Sequence, residues 1–180
     1  MRIIDGKHKG RRFYPPRNLP VRPTTDLAKE SLFNILRIHF DFRELTVLDL
    51  FAGTGSITFE FASRGARKVI SIDKNPRCLK FILEKARELQ LDNISTVREN
   101  VPALVPKLTG NFDVIFADPP YDLPGLETIP RQARLFSALK PGGWFILEHS
   151  REYDFSRLPH HNQTRKYGKV NFSIFIKDEQ

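Results

Sequence analysis

Cysteine occurs once in this chain, as Cys78, so no internal disulfide framework and no thiolate cluster for zinc can form. That usage fits a reducing compartment, and Cys78 reads as a plain helix residue. Long apolar runs are missing too. The hydrophobic stretches are a few residues long, far short of a membrane span, and the basic start MRIIDGKHKGRRFYPPR continues into polar residues, not into the apolar core of a signal peptide. The expected location is cytoplasmic, with no membrane partner. No G-x-x-x-x-G-K-[ST] occurs, which argues against a P-loop kinase or ATPase. His8, His39, His149, His160 and His161 have no cysteine to join them and no convincing ligand spacing, so no metal site is expected and they read as solvated or core-edge residues. Internal repeats, low-complexity tracts and long linkers are absent as well. What remains is a globular composition, 40% hydrophobic and 28% charged, in a chain of 180 residues. That length suits one domain with a substantial core and is too short for two of ordinary size.

Acids are scarce at the start. From Met1 to Pro23 the chain carries Arg2, Lys7, Lys9, Arg11, Arg12, Arg17 and Arg22 against a single acid, Asp5, with His8, Phe13 and Tyr14 interleaved. The net charge of +8 favours an anionic partner. Gly6 and Gly10 punctuate the run and Pro15, Pro16, Pro20 and Pro23 follow it, which predicts a short hairpin and then an extended, proline-stiffened arm. A solvated basic tail is the alternative, but turn glycines and aromatics among the charges argue for a shaped surface. Phe13 and Tyr14 read as packing residues of this arm. The expected organisation is a basic hairpin and arm over residues 1–25 and one α/β domain over residues 26–180.

After RPTTD a helical pattern runs to about Phe40, with Leu27, Ser31, Leu32, Ile35, Leu36 and His39 near one face and Thr24, Thr25 or Asp26 as its N-cap. From Leu45 a strand and helix rhythm follows. TVLDLF, KVISID, ISTV, FDVIFAD and WFILEH read as strands; Ile57 to Ser63, Pro76 to Leu89, Val101 to Leu108 and Thr128 to Leu139 read as helices, the last ended by KPGG. These strands are apolar at successive positions, as expected when helices cover both faces of a parallel sheet. The pattern predicts a doubly wound, Rossmann-like α/β domain. The end of the chain alternates instead, with Val170, Phe172, Ile174 and Ile176 on one face, which predicts a terminal antiparallel hairpin turning near Gly168. The sheet should therefore have seven strands, mostly parallel.

LDLFAGTGSIT, Leu48 to Thr58, joins the first strand to the first helix of this rhythm through Gly53 and Gly55. Glycines there permit a tight turn and close approach of the backbone to a ligand at the carboxyl end of the sheet. Asp73 ends the second strand, where a carboxylate can grip ribose hydroxyls. A dinucleotide fingerprint would ask for glycine or alanine where this chain has Thr58. The D-x-F-x-G-x-G form, Asp49, Phe51, Gly53 and Gly55, resembles motif I of S-adenosylmethionine-dependent methyltransferases. The resemblance implies that Asp49, Phe51 and the glycine loop lie beside the methionine part, that Asp73 takes the ribose, and that Asn100 meets the adenine through its amide. Glu99 competes with Asn100 for that last role.

At the end of the fourth strand stands ADPPYD. Two prolines stop the ladder and stiffen the chain, so the groups that follow are presented in a fixed geometry. A strand end and turn is the plain alternative. Asp118, Pro119, Pro120 and Tyr121 resemble the [DNS]-PP-[FYW] motif of enzymes that methylate amino groups conjugated to a ring or carbonyl. Such an amine is a poor nucleophile because its lone pair is delocalised. The resemblance implies that the Asp118 side chain and the Pro119 carbonyl accept its two N–H bonds while Tyr121 stacks on the base.

The whole chain resembles the RsmD family of 16S rRNA (guanine(966)-N(2))-methyltransferases. MRIIDGKHKGRRFYPP is similar to that family's opening R-x-I-x-G-x-x-x-G-R, and RPTTDLAKESLFNIL to its R-P-T-x-x-x-x-[RK]-E-x-x-F-N segment. VLDLFAGTG, SRGA, DPPY and KYG complete the set. The resemblance implies methyl transfer from S-adenosyl-L-methionine to the exocyclic N2 amine of one guanine in 16S rRNA, within the small ribosomal subunit or an assembly intermediate, by a monomer. Arg11, Arg12 and Arg22 would hold RNA backbone, and Thr24 with Asn34 would lie near the mouth of the cofactor pocket. Arg22 could equally anchor the arm to Glu30, and Asn34 could bridge within its helix. The segment after DPPYD, LPGLETIPRQARLF, is shorter and more mixed in helical character than the family pattern, and it should border the target base. Three other readings compete: a DNA adenine-N6 or protein glutamine-N5 methyltransferase, a non-catalytic RNA-binding assembly factor, and a nicotinamide oxidoreductase. The first would need a target-recognition domain for which this chain has no room.

Overall fold

The computed structural model describes residues 1–16, 19 and 25–179. Arg22 and Thr24, both expected near RNA or the cofactor, lie outside the described residues. Helix α1 (Asp26–His39) is followed by β1 (Thr46–Leu50), α2 (Ser56–Ser63), β2 (Lys68–Asp73), α3 (Pro76–Glu88), β3 (Ile94–Arg98), α4 (Val101–Leu104), β4 (Phe112–Ala117), α5 (Ala133–Ser137), β5 (Leu139–His149), β6 (His161–Tyr167) and β7 (Val170–Ile176). The strands form one seven-stranded sheet in the order β3-β2-β1-β4-β5-β7-β6. The first five are parallel and β7 and β6 are antiparallel, so the predicted Rossmann-like architecture with its terminal hairpin is borne out.

Neighbouring apolar residues along each strand divide between two cores. Val47, Val114, Ile146 and Ile174 pack with α1, α2 and α3 on one face, while Leu48, Ile115, Phe145 and Phe175 pack with α4 and α5 on the other. That division explains why these strands are continuously apolar: both faces are covered.

Three local readings change. The buried face of α1 is Ala28, Lys29, Leu32, Phe33 and Leu36, whereas Leu27, expected inside, is 69% exposed. Tertiary packing decides the face: Phe33 meets Phe61 of α2 edge-on at 4.6 Å, and Lys29 is drawn in by an acid described below. The helix expected from Thr128 to Leu139 is a 3-10 turn over Leu126–Arg131 containing Pro130, then the short α5. Pro130 supplies no N–H to continue a helix. KPGG lies inside β5, not in a loop, at an irregularity of the β4–β5 register between Phe112 and Val114. Gly143 is required there, because a Cβ would stand 2.8 Å from the Lys140 carbonyl oxygen.

The N-terminal residues form a small hairpin, with Ile3 N–H donating to Arg11 O at 2.9 Å and Phe13 N–H to Met1 O at 2.9 Å. It lies along α2. At one end Met1 Sδ is 3.9 Å from Thr54 Oγ1; at the other, Lys7 N–H donates to Ser63 O at 2.8 Å. Gly6 touches α2 so closely that a Cβ would fall 2.1 Å from Ser63 O. In between, Glu60 accepts the N–H groups of Ile4 at 2.9 Å and Asp5 at 3.1 Å. The same carboxylate is 3.4 Å from Lys29 Nζ and 2.8 Å from Arg64. Lys29 and Glu60 are both fully buried. Burial holds the Lys29 ammonium below its usual pKa, opposed by the nearby Glu60 charge.

Phe13 packs on Phe59 at 5.1 Å, but Tyr14, expected to pack with it, is 82% exposed.

Candidate active site

The carboxyl ends of β1, β2, β3, β4 and β5 share one edge of the sheet, and the predicted residues gather there from separate loops. The turn after β1 holds three left-handed residues, Phe51 at φ 60°, Gly53 at φ 54° and Gly55 at φ 82°. For a bulky residue such as Phe51 this is strained and needs the surroundings to impose it. Here the turn is latched to β2. Ala52 N–H donates to Ile72 O at 2.9 Å and Gly53 N–H to Asp73 Oδ2 at 2.9 Å, while the other Asp73 oxygen accepts from Asn75 N–H at 2.8 Å. Asp73 thus stands half-buried at the end of β2 with both oxygens oriented and lone pairs left to accept hydroxyls. Gly55 leads into α2, and a Cβ on it would lie 2.9 Å from Ile82.

Asp49, the first residue of the motif, lies within β1 beneath the glycine turn. It is fully buried, and its Oδ2 accepts from Thr58 Oγ1 at 2.6 Å. Thr58 Oγ1 in turn is 2.7 Å from Ser71 Oγ. Burial, which disfavours the charged form, is the main reason its carboxyl is pushed up to about 7; the Thr58 hydrogen bond works against that shift. Asp49 therefore locks α2 to β1 and β2 beneath the glycine turn. Thr58 and Ser71 had not been singled out as site residues. A hydroxyl embedded in the apolar strand KVISID was the available signal for Ser71.

Glu99 N–H donates to Asp73 O at 3.2 Å, which ties the end of β3 to β2. Asn100 follows, exposed, and its carbonyl accepts from Ala103 and Leu104 at the start of α4. Its amide makes no capping bond there.

The DPPY stretch lies directly beside the glycine turn. Leu50 pairs with Ala117, and Asp118 N–H reaches Leu50 O at 3.4 Å, so Asp118 and Phe51 leave adjacent strands at the same level. Asp118 and Tyr121 are half-buried, Pro119 is buried and Pro120 exposed. The Pro120 carbonyl accepts from Leu123 N–H at 2.9 Å, which closes the turn.

The arm residues separate. Arg11 and Arg12 are exposed, and Arg12 pairs with Arg2 in the hairpin, whose guanidinium is 3.1 Å from Asp26 at the start of α1. Asn34 does not join the glycine turn. It sits about 7.5 Å along α1 beyond Lys29, whose Nζ is 3.3 Å from Ser56 Oγ at the start of α2, and lines a concavity of about 360 Å³ with Arg2, Glu30, Arg37 and Arg64. Arg64 follows the far end of α2, so helix geometry separates Asn34 from the turn that opens α2. Among the described residues no cluster of three His, Cys, Asp or Glu side chains gathers, and no helix is long and apolar enough to cross a membrane. His149, expected at the core edge, is 1% exposed.

Known proteins share this architecture. The Thermus thermophilus protein TTHA0928 superposes with a TM-score of 0.84 at 26% identity, covering 97% of this chain and 98% of that one. YlbH of Bacillus subtilis, provisionally named an rRNA methyltransferase, is 32% identical over 185 residues, which span 98% of this chain and 99% of the relative. The ribosomal RNA small subunit methyltransferase D of Escherichia coli strain K12 is 29% identical over 148 residues, 82% of this chain and 71% of the relative. The sheet architecture and the methyltransferase relatives define a Rossmann-like methyltransferase whose cofactor is S-adenosylmethionine. Residues 1–176 match the family described as Conserved hypothetical protein 95, and the chain belongs to it. This is the RsmD family.

Proposed function

We propose that this protein transfers a methyl group from S-adenosylmethionine to the exocyclic N2 amine of a guanine in small-subunit ribosomal RNA. The observation that carries the reading is the register of β1 and β4, which puts Asp118 beside the turn that begins at Phe51. The names of the family relatives support RNA of the small subunit as the substrate.

The residues fit the cofactor. Asp73 would accept the ribose hydroxyls, the turn from Phe51 to Gly55 would border the methionine part, and Asn100 or Glu99 would meet the adenine. When bound, the cofactor supplies a methyl group on a positively charged sulfur. The remaining work falls to the chain. Asp118 Oδ and the Pro119 carbonyl accept the two amine N–H bonds, which turns the nitrogen lone pair out of conjugation and toward the methyl. Asp118 would accept one amine proton along that hydrogen bond as the nitrogen takes up the methyl group. Tyr121 stacks on the base, and Pro119 and Pro120 keep these acceptors from relaxing. Asp49 acts from below, by holding the glycine turn. Arg11, Arg12 and Arg22 supply affinity through phosphates, and specificity comes from an RNA loop whose guanine can be splayed out. The enzyme works as a monomer on the small subunit or its assembly intermediate, in the cytoplasm.

Labelled methyl transfer to unmethylated small subunits, protein-free 16S rRNA and duplex DNA, followed by nucleoside analysis, tests the reading. N2-methylguanosine on the ribosomal substrate is expected. Label on DNA adenine, or on protein only, would replace the substrate and leave the fold intact.

A further inference from the structure

Two lysines have no part in the site described so far, Lys166 and Lys169, on either side of Gly168 in the turn between β6 and β7. The strand register fixes where that turn stands. β7 is antiparallel to β5, pairing Glu148 with Phe172 and His149 with Asn171, and β4 is parallel to β5, pairing Ala117 with Leu147. One further residue along that register sets Asp118 level with Glu148 and hence with Phe172. The residues preceding Asn171 therefore project beyond the edge of the sheet that carries Asp118 to Tyr121. Strand spacing and rise put the turn about 10 Å to the side of Asp118 and about 10 Å beyond its level. The N-terminal hairpin, whose Met1 meets Thr54 after β1, flanks the DPPY stretch from the other side of β4.

The turn is firmly placed. Gly168, at φ 62°, is the first of two central residues between the paired Tyr167 and Val170, a tight hairpin geometry that glycine permits. Beneath it a chain of hydrogen bonds ties the hairpin to the end of β5. His149 Nε2 is 2.8 Å from Ser173 Oγ, Ser173 Oγ is 2.9 Å from Thr164 Oγ1, and Thr164 Oγ1 is 2.9 Å from His161 Nε2. Tyr167 packs on Phe172 at 5.9 Å. Above this support Lys166, Gly168 and Lys169 are all exposed. A lysine on an edge strand also discourages strand addition, which would account for Lys166. Lys169 lies past the strand, where that role does not arise.

We infer that the β6–β7 turn is a second RNA contact, in which Lys166 and Lys169 hold backbone phosphates beside the target nucleotide, across the site from the N-terminal hairpin. The inference rests on the proposed action on ribosomal RNA. A base splayed into the pocket leaves its flanking phosphates at the rim, and ammonium groups neutralise phosphates without reading sequence. A contact on each side of β4 would hold the strand by both flanks, so that the amine meets Asp118 in one orientation.

The double variant Lys166→Ala/Lys169→Ala, assayed with unmethylated small ribosomal subunits and saturating labelled S-adenosylmethionine, tests it. KM for the subunit should rise about 10-fold with kcat nearly unchanged, and the slope of log kcat/KM against log salt should become shallower by roughly 1.4 to 1.8, two phosphates' worth. S-adenosylmethionine affinity and Tm should stay at the wild-type values, and Lys166→Arg/Lys169→Arg should restore the KM. A wild-type KM and salt slope in the alanine variant, beside an active wild-type enzyme, would overturn the contact alone. A wild-type enzyme that methylates no RNA would overturn the ribosomal reading and the contact with it.

Discussion

The two halves of the proposed catalytic edge are held by different bonds. In the cofactor half, polar side chains do the holding: Asp73 grips Gly53 and Asn75, and Asp49, Thr58 and Ser71 form a buried string under the turn. In the substrate half, prolines and backbone bonds stand out. Pro119 and Pro120 follow β4 directly, and the bonds from Asp118 N–H to Leu50 O and from Leu123 N–H to Pro120 O set the path. The contrast suits the tasks. A cofactor surface can use its carboxylates both to shape the loop and to meet a ligand, whereas acceptors aimed at a reacting amine, the Asp118 side chain among them, gain from a stiff backbone beneath them.

Substitutions can break this division. The largest effect belongs to the substrate half: Asp118→Ala should lower kcat by about 1,000-fold while leaving cofactor affinity, read by calorimetry, nearly intact. Turnover close to wild type would remove Asp118 from the chemistry. Next comes the hairpin that flanks the cofactor half. Glu60→Ala strands the buried Lys29 and frees two backbone N–H groups, so thermal or urea unfolding should show a loss of about 3 kcal/mol or more, together with weaker RNA binding. Asp73→Ala should weaken cofactor binding about 10- to 100-fold, the range of a lost charged acceptor, with a loosened turn visible as faster amide exchange at Gly53. Unchanged affinity would reduce Asp73 to a loop anchor.

The smallest effect is a pH dependence. The Asp49 carboxyl is raised on folding to about 7, so between the ordinary carboxylate range and pH 7 the folded state binds more protons than the unfolded one, and stability falls as pH rises through that window. Asp49→Asn removes the titrating group and keeps the shape. The variant should gain roughly 1–2 kcal/mol relative to wild type between pH 5 and pH 7, measured as the difference of the two Tm profiles. Parallel profiles would show that Asp49 does not titrate there.

Much of this edge was legible before any coordinates. Gly53, Gly55 and Asp73 sit where their spacing implied, and DPPY ends the fourth strand as its prolines required. These features are local: a turn needing positive φ, a carboxylate at a strand end and a proline stop each leave a mark on neighbouring residues. The Asp49–Thr58 bond was not legible. Its partners are separated by a turn, and nothing in Thr58 itself distinguishes a buried acceptor's companion from a missing glycine. The failure of the helix after Thr128 was foreshadowed by Pro130, but the place of KPGG inside a strand was not legible, since it depends on the partner, β4.

By itself, then, the amino-acid order determined the alternation of strands and helices, the parallel sheet buried on both faces, the turn chemistry of the cofactor loop and the basic character of the first residues. Periodicity, glycine and proline act within a few residues and need no distant partner. Only the tertiary structure decided that Lys29 faces inward, that Glu60 clasps the N-terminal hairpin, that Asn34 stands away from the glycine turn, and that the Lys166–Lys169 turn rises beside Asp118. Each of those depends on segments far apart in the chain that meet only once the sheet has set their register.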